Sequence, residues 1–126
     1  MLNILAIFIG GGFGCISRYG IANLLKAYSF DFPIATLLVN IIGSLILGFT
    51  AAYFWNKVPA HAIHNTLRLT ITVGFCGGLT TFSTFSWETF DLIKNGDFLL
   101  AILYATISFL ACLLAISLGV FLSKYV

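Results

Sequence analysis

From Gly74 to Glu88 the chain reads GFCGGLTTFSTFSWE, inside an apolar, uncharged run that begins at Leu69. Thr80, Thr81, Ser83, Thr84 and Ser86 put hydroxyls where lipid would favour leucine, and Phe82 and Phe85 punctuate them three residues apart. Gly74, Gly77 and Gly78 weaken a helix at the same place. The chemistry open to such residues is reversible ligation of ions. A break frees backbone carbonyls, which a cation can satisfy. A helix that restarts after it offers N–H groups and a dipole that favour an anion. Phe82 and Phe85 share a face if that stretch is helical, and an aromatic edge carries partial positive charge. Non-helical backbone at membrane depth is tolerated only where protein buries it or a polar cavity borders it. The segment therefore predicts a broken helix in an ion pathway, against the bland reading of core phenylalanines.

Other polar residues fall at intervals that could complete such a path. Asn40, Ser44 and Gly48 lie four apart on one helix face, and Thr36 extends it. That face is either a donor wall of a pore or the seat of an interhelical hydrogen bond. Arg18 lies about two turns before the end of its span and has two readings. It faces a polar vestibule and attracts anions, or it snorkels to the interface beside Tyr19. Glu88 is either neutral or paired with Arg68, Lys94 or another chain, since an unpaired buried carboxylate is costly; the bland reading is a structural hydrogen-bonding role. Tyr104 and Ser108 are one turn apart and Cys112 continues their face; a buried phenol seeks a partner.

The elements that must position these residues follow from composition. Of 126 residues, 60% are hydrophobic and only 8% charged, where a soluble domain carries roughly 25% charged residues. Mean hydropathy is +1.08. An all-α integral membrane protein of one domain, residues 1–126, is expected, with spans at about 2–25, 34–55, 66–93 and 98–122. The third span breaks near Gly77 to Thr81. Short links carry Lys26, Asp31 and Pro33, then Lys57, Pro59, His61 and His64, then Asn95-Gly96-Asp97. The start, MLNILAIFIGGGFG, lacks a basic leader region, so the first span is expected to be retained. Its Gly10 and Gly14 form GxxxG, a close-packing signal. Cys15, Cys76 and Cys112 show no paired spacing and read as small buried residues. A net charge of +2 without a basic run excludes a nucleic-acid partner, and nothing suggests an enzyme.

Four spans place Lys57, Arg68 and Lys124 on one side and Lys26 and Lys94 on the other. So weak a bias predicts insertion in both orientations and an antiparallel, dual-topology homodimer.

With these residues assembled, the chain resembles the CrcB/Fluc family of fluoride channels. The likeness rests on GFCGGLTTFSTFSWE, supported in order by GGFGCISRY (Gly11 to Tyr19) and TLLVNIIGSLILG (Thr36 to Gly48). It implies a fluoride-selective channel exporting fluoride passively across a bacterial plasma (inner) membrane. It implies two fluoride routes in an antiparallel homodimer and a central structural sodium ion. By resemblance, backbone carbonyls of Gly77 and Thr80 hold sodium from both subunits. Phe82, Phe85 and Asn40 line the fluoride route, Arg18 stands in a vestibule, and Ser83, Thr84, Tyr104 and Ser108 match polar positions nearby. Where some members have a further serine on the fourth helix, this chain has Cys112. Two other readings fit the composition. A small drug–proton exchanger needs an acid at the centre of the first span, and there is none. A non-transporting assembly subunit leaves the hydroxyls around Phe82 and Phe85 unexplained.

Overall fold

The computed structural model describes residues 1–26, 32–57 and 62–126. Asp31, Pro59 and His61 lie outside them. All regular structure within them is helical: α1 (Leu2–Lys26), α2 (Ile34–Lys57), α3 (Ala62–Leu69), a π-helical segment (Thr70–Cys76), α4 (Gly77–Leu79), α5 (Phe82–Lys94) and α6 (Phe98–Leu122). Leu2–Lys26, Ile34–Asn56 and Phe98–Leu122 are each long and apolar enough to cross a membrane. The expected third span is interrupted as α3, the π segment, α4 and α5, with no single helix of crossing length. Outward residues of α6 such as Leu99, Ile102, Phe109 and Leu114 are exposed and apolar, as a helix facing lipid requires.

The break does not fall on the glycines. Cys76 and Gly77 keep right-handed helical angles, and helix continues through Leu79. The chain becomes extended only at Thr80 (φ −81, ψ 157) and Thr81 (φ −152, ψ 118). The glycines serve packing instead. Gly74 and Gly78 are four apart, and they meet Gly10 and Gly14 of α1. A Cβ at Gly10 would strike the Thr70 carbonyl, one at Gly14 the Phe75 carbonyl, and one at Gly78 the Gly11 carbonyl. Backbone thus touches backbone, the close approach that small residues permit between membrane helices. Gly48 of α2 and Gly119 of α6 meet in the same way.

Threonine hydroxyls return to carbonyls four residues back along the interrupted rod. Thr70 bonds Thr66, Thr72 bonds Arg68, and Thr80 bonds Cys76, at 2.8–2.9 Å. Such back-bonding satisfies the hydroxyl locally and favours bending. Helix α5 then restarts with Thr81 as its cap, the hydroxyl accepting the Thr84 N–H at 3.2 Å. It ends in a Schellman turn: the Asp97 N–H bonds the Leu92 carbonyl and the Gly96 N–H bonds Ile93. Gly96 supplies the positive φ of 89° that this turn needs.

Candidate functional site

The break is held from both sides by long polar side chains. On the α2 side, Asn40 uses both ends of its amide. Its Oδ1 accepts the Thr81 N–H at 2.8 Å and its Nδ2 donates to the Thr81 carbonyl at 3.2 Å. Extended Thr81 therefore finds in one side chain the pair of bonds a neighbouring strand would supply. In an unbroken helix the Thr81 N–H would return to the Gly77 carbonyl; here it does not. On the α1 side, Arg18 Nη1 donates to the Thr80 carbonyl at 3.3 Å and Nη2 approaches Cys15 Sγ at 3.7 Å. The guanidinium thus lies against the break.

A cavity of about 410 Å³ opens beside the break. Its walls bring together Asn40, Gly77, Thr80, Phe82, Phe85 and Ser108. Phe82 and Phe85 tilt against each other with centroids 5.7 Å apart. Phe85 packs on Tyr104 at 5.2 Å, while Phe82 is 80% exposed and presents its ring outward. Ser108 is 5% exposed, and its hydroxyl has no hydrogen-bond partner among the described residues. A serine in a membrane helix ordinarily bonds its own backbone, as Ser117 does with Leu113 at 2.8 Å. The Ser108 hydroxyl is therefore an unpaired donor on a wall that also carries Asn40, Ser44, Thr72, Thr80 and Thr81. No wall residue is charged.

Four of the residues singled out from sequence lie off this wall: Ser83, Thr84, Tyr104 and Arg18. Ser83 and Thr84 hydroxyls cluster on the Thr81 hydroxyl at 3.2 and 3.0 Å, so their immediate part is in the cap of α5. Tyr104 is fully buried and donates to Glu88 Oε2 at 2.7 Å. Thr36 donates to the other carboxylate oxygen at 2.8 Å. Glu88 is thus gripped by two hydroxyls, while Arg68 bonds Asn65 at 3.0 Å. The hydrogen-bonding role expected for Glu88 and the partner expected for the Tyr104 phenol are both present, but the sequence reading did not join Thr36, Glu88 and Tyr104. The signal for joining them was present, because Thr36 and Asn40 are one turn apart on α2 while Glu88 and Thr81 are two turns apart across the restart of α5.

What the arrangement can do follows from its parts. The first N–H groups of the 13-residue α5, the Ser108 hydroxyl and the phenylalanine edges are all weak partners for an anion. Gly77 and Thr80 border the same space, and a backbone carbonyl freed from a helix is a group that a cation can satisfy.

The sequence matches the profile of the family described as "CrcB-like protein, Camphor Resistance (CrcB)" over residues 5–120. It is similar to a "Fluoride-specific ion channel FluC" of Pyrococcus abyssi, 41% identical over 120 residues, covering 95% of this chain and 94% of the relative. The protein of the same name from Geobacter sp. (strain M21) is 39% identical over 125 residues, 98% of each chain. That of Coxiella burnetii (strain CbuK_Q154) is 39% identical over 124 residues, again 98% of each.

Proposed function

The chain belongs to the CrcB family, and from that premise we propose that it is a fluoride-selective channel that lets fluoride leave the cell passively and lowers its cytoplasmic level. The observation that carries this reading is the unpartnered Ser108 hydroxyl in an uncharged cavity walled by Phe82 and Phe85. A buried donor without a partner costs about 1–3 kcal/mol, and a small anion relieves that cost. Fluoride that sheds water there would gain hydroxyl and aromatic-edge partners in exchange. Chloride is larger and fits the same donors poorly. Each donor is weak, which suits conduction, because an ion must leave as readily as it arrives. A drug–proton exchanger is not favoured: the first span has no acid, and Glu88 is held by Tyr104 and Thr36.

The finer parts of the reading concern assembly. The protein is placed in a bacterial inner membrane as an antiparallel homodimer. The weak charge bias and the outward ring of Phe82 support this. Gly77 and Thr80 suit a structural sodium ion shared by the two copies. The helical donor to the Gly77 carbonyl has gone to Asn40, and both residues border the cavity. Arg18 already occupies one lone pair of Thr80, which leaves the other for a cation. Bound sodium would supply a fixed positive charge that ties the two breaks together. Replacing sodium by a large organic cation during purification should weaken the dimer. A dimer of unchanged stability would remove sodium from the account.

The test of function is efflux from liposomes, read with a fluoride electrode and matched chloride controls. Rapid fluoride release with negligible chloride release is expected. Folded protein that releases neither ion would leave the family's fold without the channel activity.

A further inference from the structure

Two of the three cysteines, Cys76 and Cys112, border the cavity. Cys76 is only 2% exposed, whereas Cys112 is partly open. Cys112 lies one turn beyond Ser108 on the same face of α6. Ser108, 5% exposed and with its hydroxyl unpartnered among the described residues, borders the same space. Its oxygen has lone pairs to offer as well as a proton. Nothing on the wall repels a cation, since no lining residue is charged and the Gly77 and Thr80 backbone borders it. Cys15, the remaining cysteine, does not border the cavity and approaches Arg18 on α1.

We propose that Cys112 makes this cavity a binding site for soft, thiophilic cations, and that a cation bound there stops fluoride passage. The proposal rests on the channel reading above. Thiolate sulfur selects soft d10 ions over sodium or magnesium, and the thiolate is the ligating form. With silver as the probe, an S–Ag bond forms, the thiol S–H bond breaks, and the proton goes to water. No electron changes hands. The bound ion occupies the space beside Ser108 that fluoride must use. Cys15 also takes up silver, but away from the cavity, so its occupation leaves the flux intact.

The experiment measures fluoride efflux from liposomes in nitrate medium, with and without micromolar silver nitrate. It also measures silver bound per purified chain by elemental analysis. Wild type is expected to lose roughly tenfold or more of its flux and to recover it on addition of excess dithiothreitol, as a thiolate–metal bond implies. Cys112→Ser, compared with its own untreated flux, should change less than about twofold and bind one silver fewer per chain. Cys15→Ser should remain as sensitive as wild type. Undiminished wild-type flux, equal sensitivity in Cys112→Ser, or protection by Cys15→Ser would overturn the proposal. Failure of the channel reading is seen separately, as absence of fluoride release before silver is added, while the binding measurement still reports whether Cys112 takes the metal.

Discussion

Asn40→Ala should damage the fold before it damages the ion path. The amide makes two hydrogen bonds to one backbone residue, at 2.8 and 3.2 Å. Thr81 is 7% exposed, so water does not readily replace the lost partner. A buried polar group left unsatisfied costs about 1–3 kcal/mol, and the substitution orphans a donor and an acceptor together, for roughly 2–4 kcal/mol once some relaxation toward the cavity is allowed. Reversible unfolding in mixed micelles measures the loss, and hydrogen exchange at the Thr81 amide locates it. That amide should exchange faster in the variant than its neighbours inside α5. Fluoride flux should fall as well, because the cap of α5 and the position of Phe82 depend on where Thr81 is held. A variant as stable as wild type, with a protected Thr81 amide and no flux, would refute this reasoning. The amide would then act on the ion alone.

Further substitutions probe the rest of the site and the packing that supports it. Phe82→Ile or Phe85→Ile should reduce fluoride flux in liposomes while the protein stays folded; wild-type flux in both would remove the aromatic edges from the mechanism. Glu88→Ala strands the Tyr104 hydroxyl, which is fully buried, and should cost about 1–3 kcal/mol in the same unfolding assay. Glu88→Gln keeps an acceptor and should cost less, so equal losses in the two would show that the hydroxyl pairing is not what matters. Gly14→Leu drives a side chain into the backbone of Phe75 and Leu79, and folded protein should not accumulate, as judged by gel filtration. Gly12→Leu is the control, because nothing lies within 4 Å of a Cβ there; it should fold, and loss of both would point to a general intolerance of α1.

How much was legible in the sequence differs by residue, for physical reasons. Membrane helices declare themselves through hydropathy, so the bounds of α1, α2 and α6 lie within about two residues of those read from composition. The restart at Phe82 was legible because Thr81 and the hydroxyls after it are capping residues. The break at Thr80 and Thr81 falls at the C-terminal end of the expected stretch, Gly77 to Thr81, and not on its glycines. Glycine lowers helix propensity, but it also permits close packing, and in lipid the second property won at Gly74 and Gly78. Asn40 was recognised as polar on a helix face, yet no local pattern says that its partner is a backbone unit 41 positions away. The two readings of its face, hydrogen bond or cavity wall, turn out to be compatible, since it clamps Thr81 and borders the cavity. Arg18 was read as facing a vestibule or snorkelling, and neither reading foresaw its bond to Thr80. That contact depends on how closely α1 approaches, which the facing glycines decide.

These glycines also bear on selectivity. Because Gly10 and Gly14 let α1 lie backbone to backbone against the rod, Arg18 can reach the Thr80 carbonyl without entering the cavity. Its positive charge therefore stands beside the break, while the cavity wall keeps only neutral donors. The neutral partners include the unpaired Ser108 hydroxyl and the rings of Phe82 and Phe85. The Arg18 charge, one step removed, raises the potential along the approach for any anion. In the function proposed above, attraction, which is long-range and indifferent to size, is separated from selection, which would depend on close contact with Ser108, Phe82 and Phe85. Neutralising Arg18 should therefore lower flux most at low ionic strength and leave the fluoride-to-chloride ratio unchanged. A changed ratio at constant salt would place the guanidinium among the selecting groups.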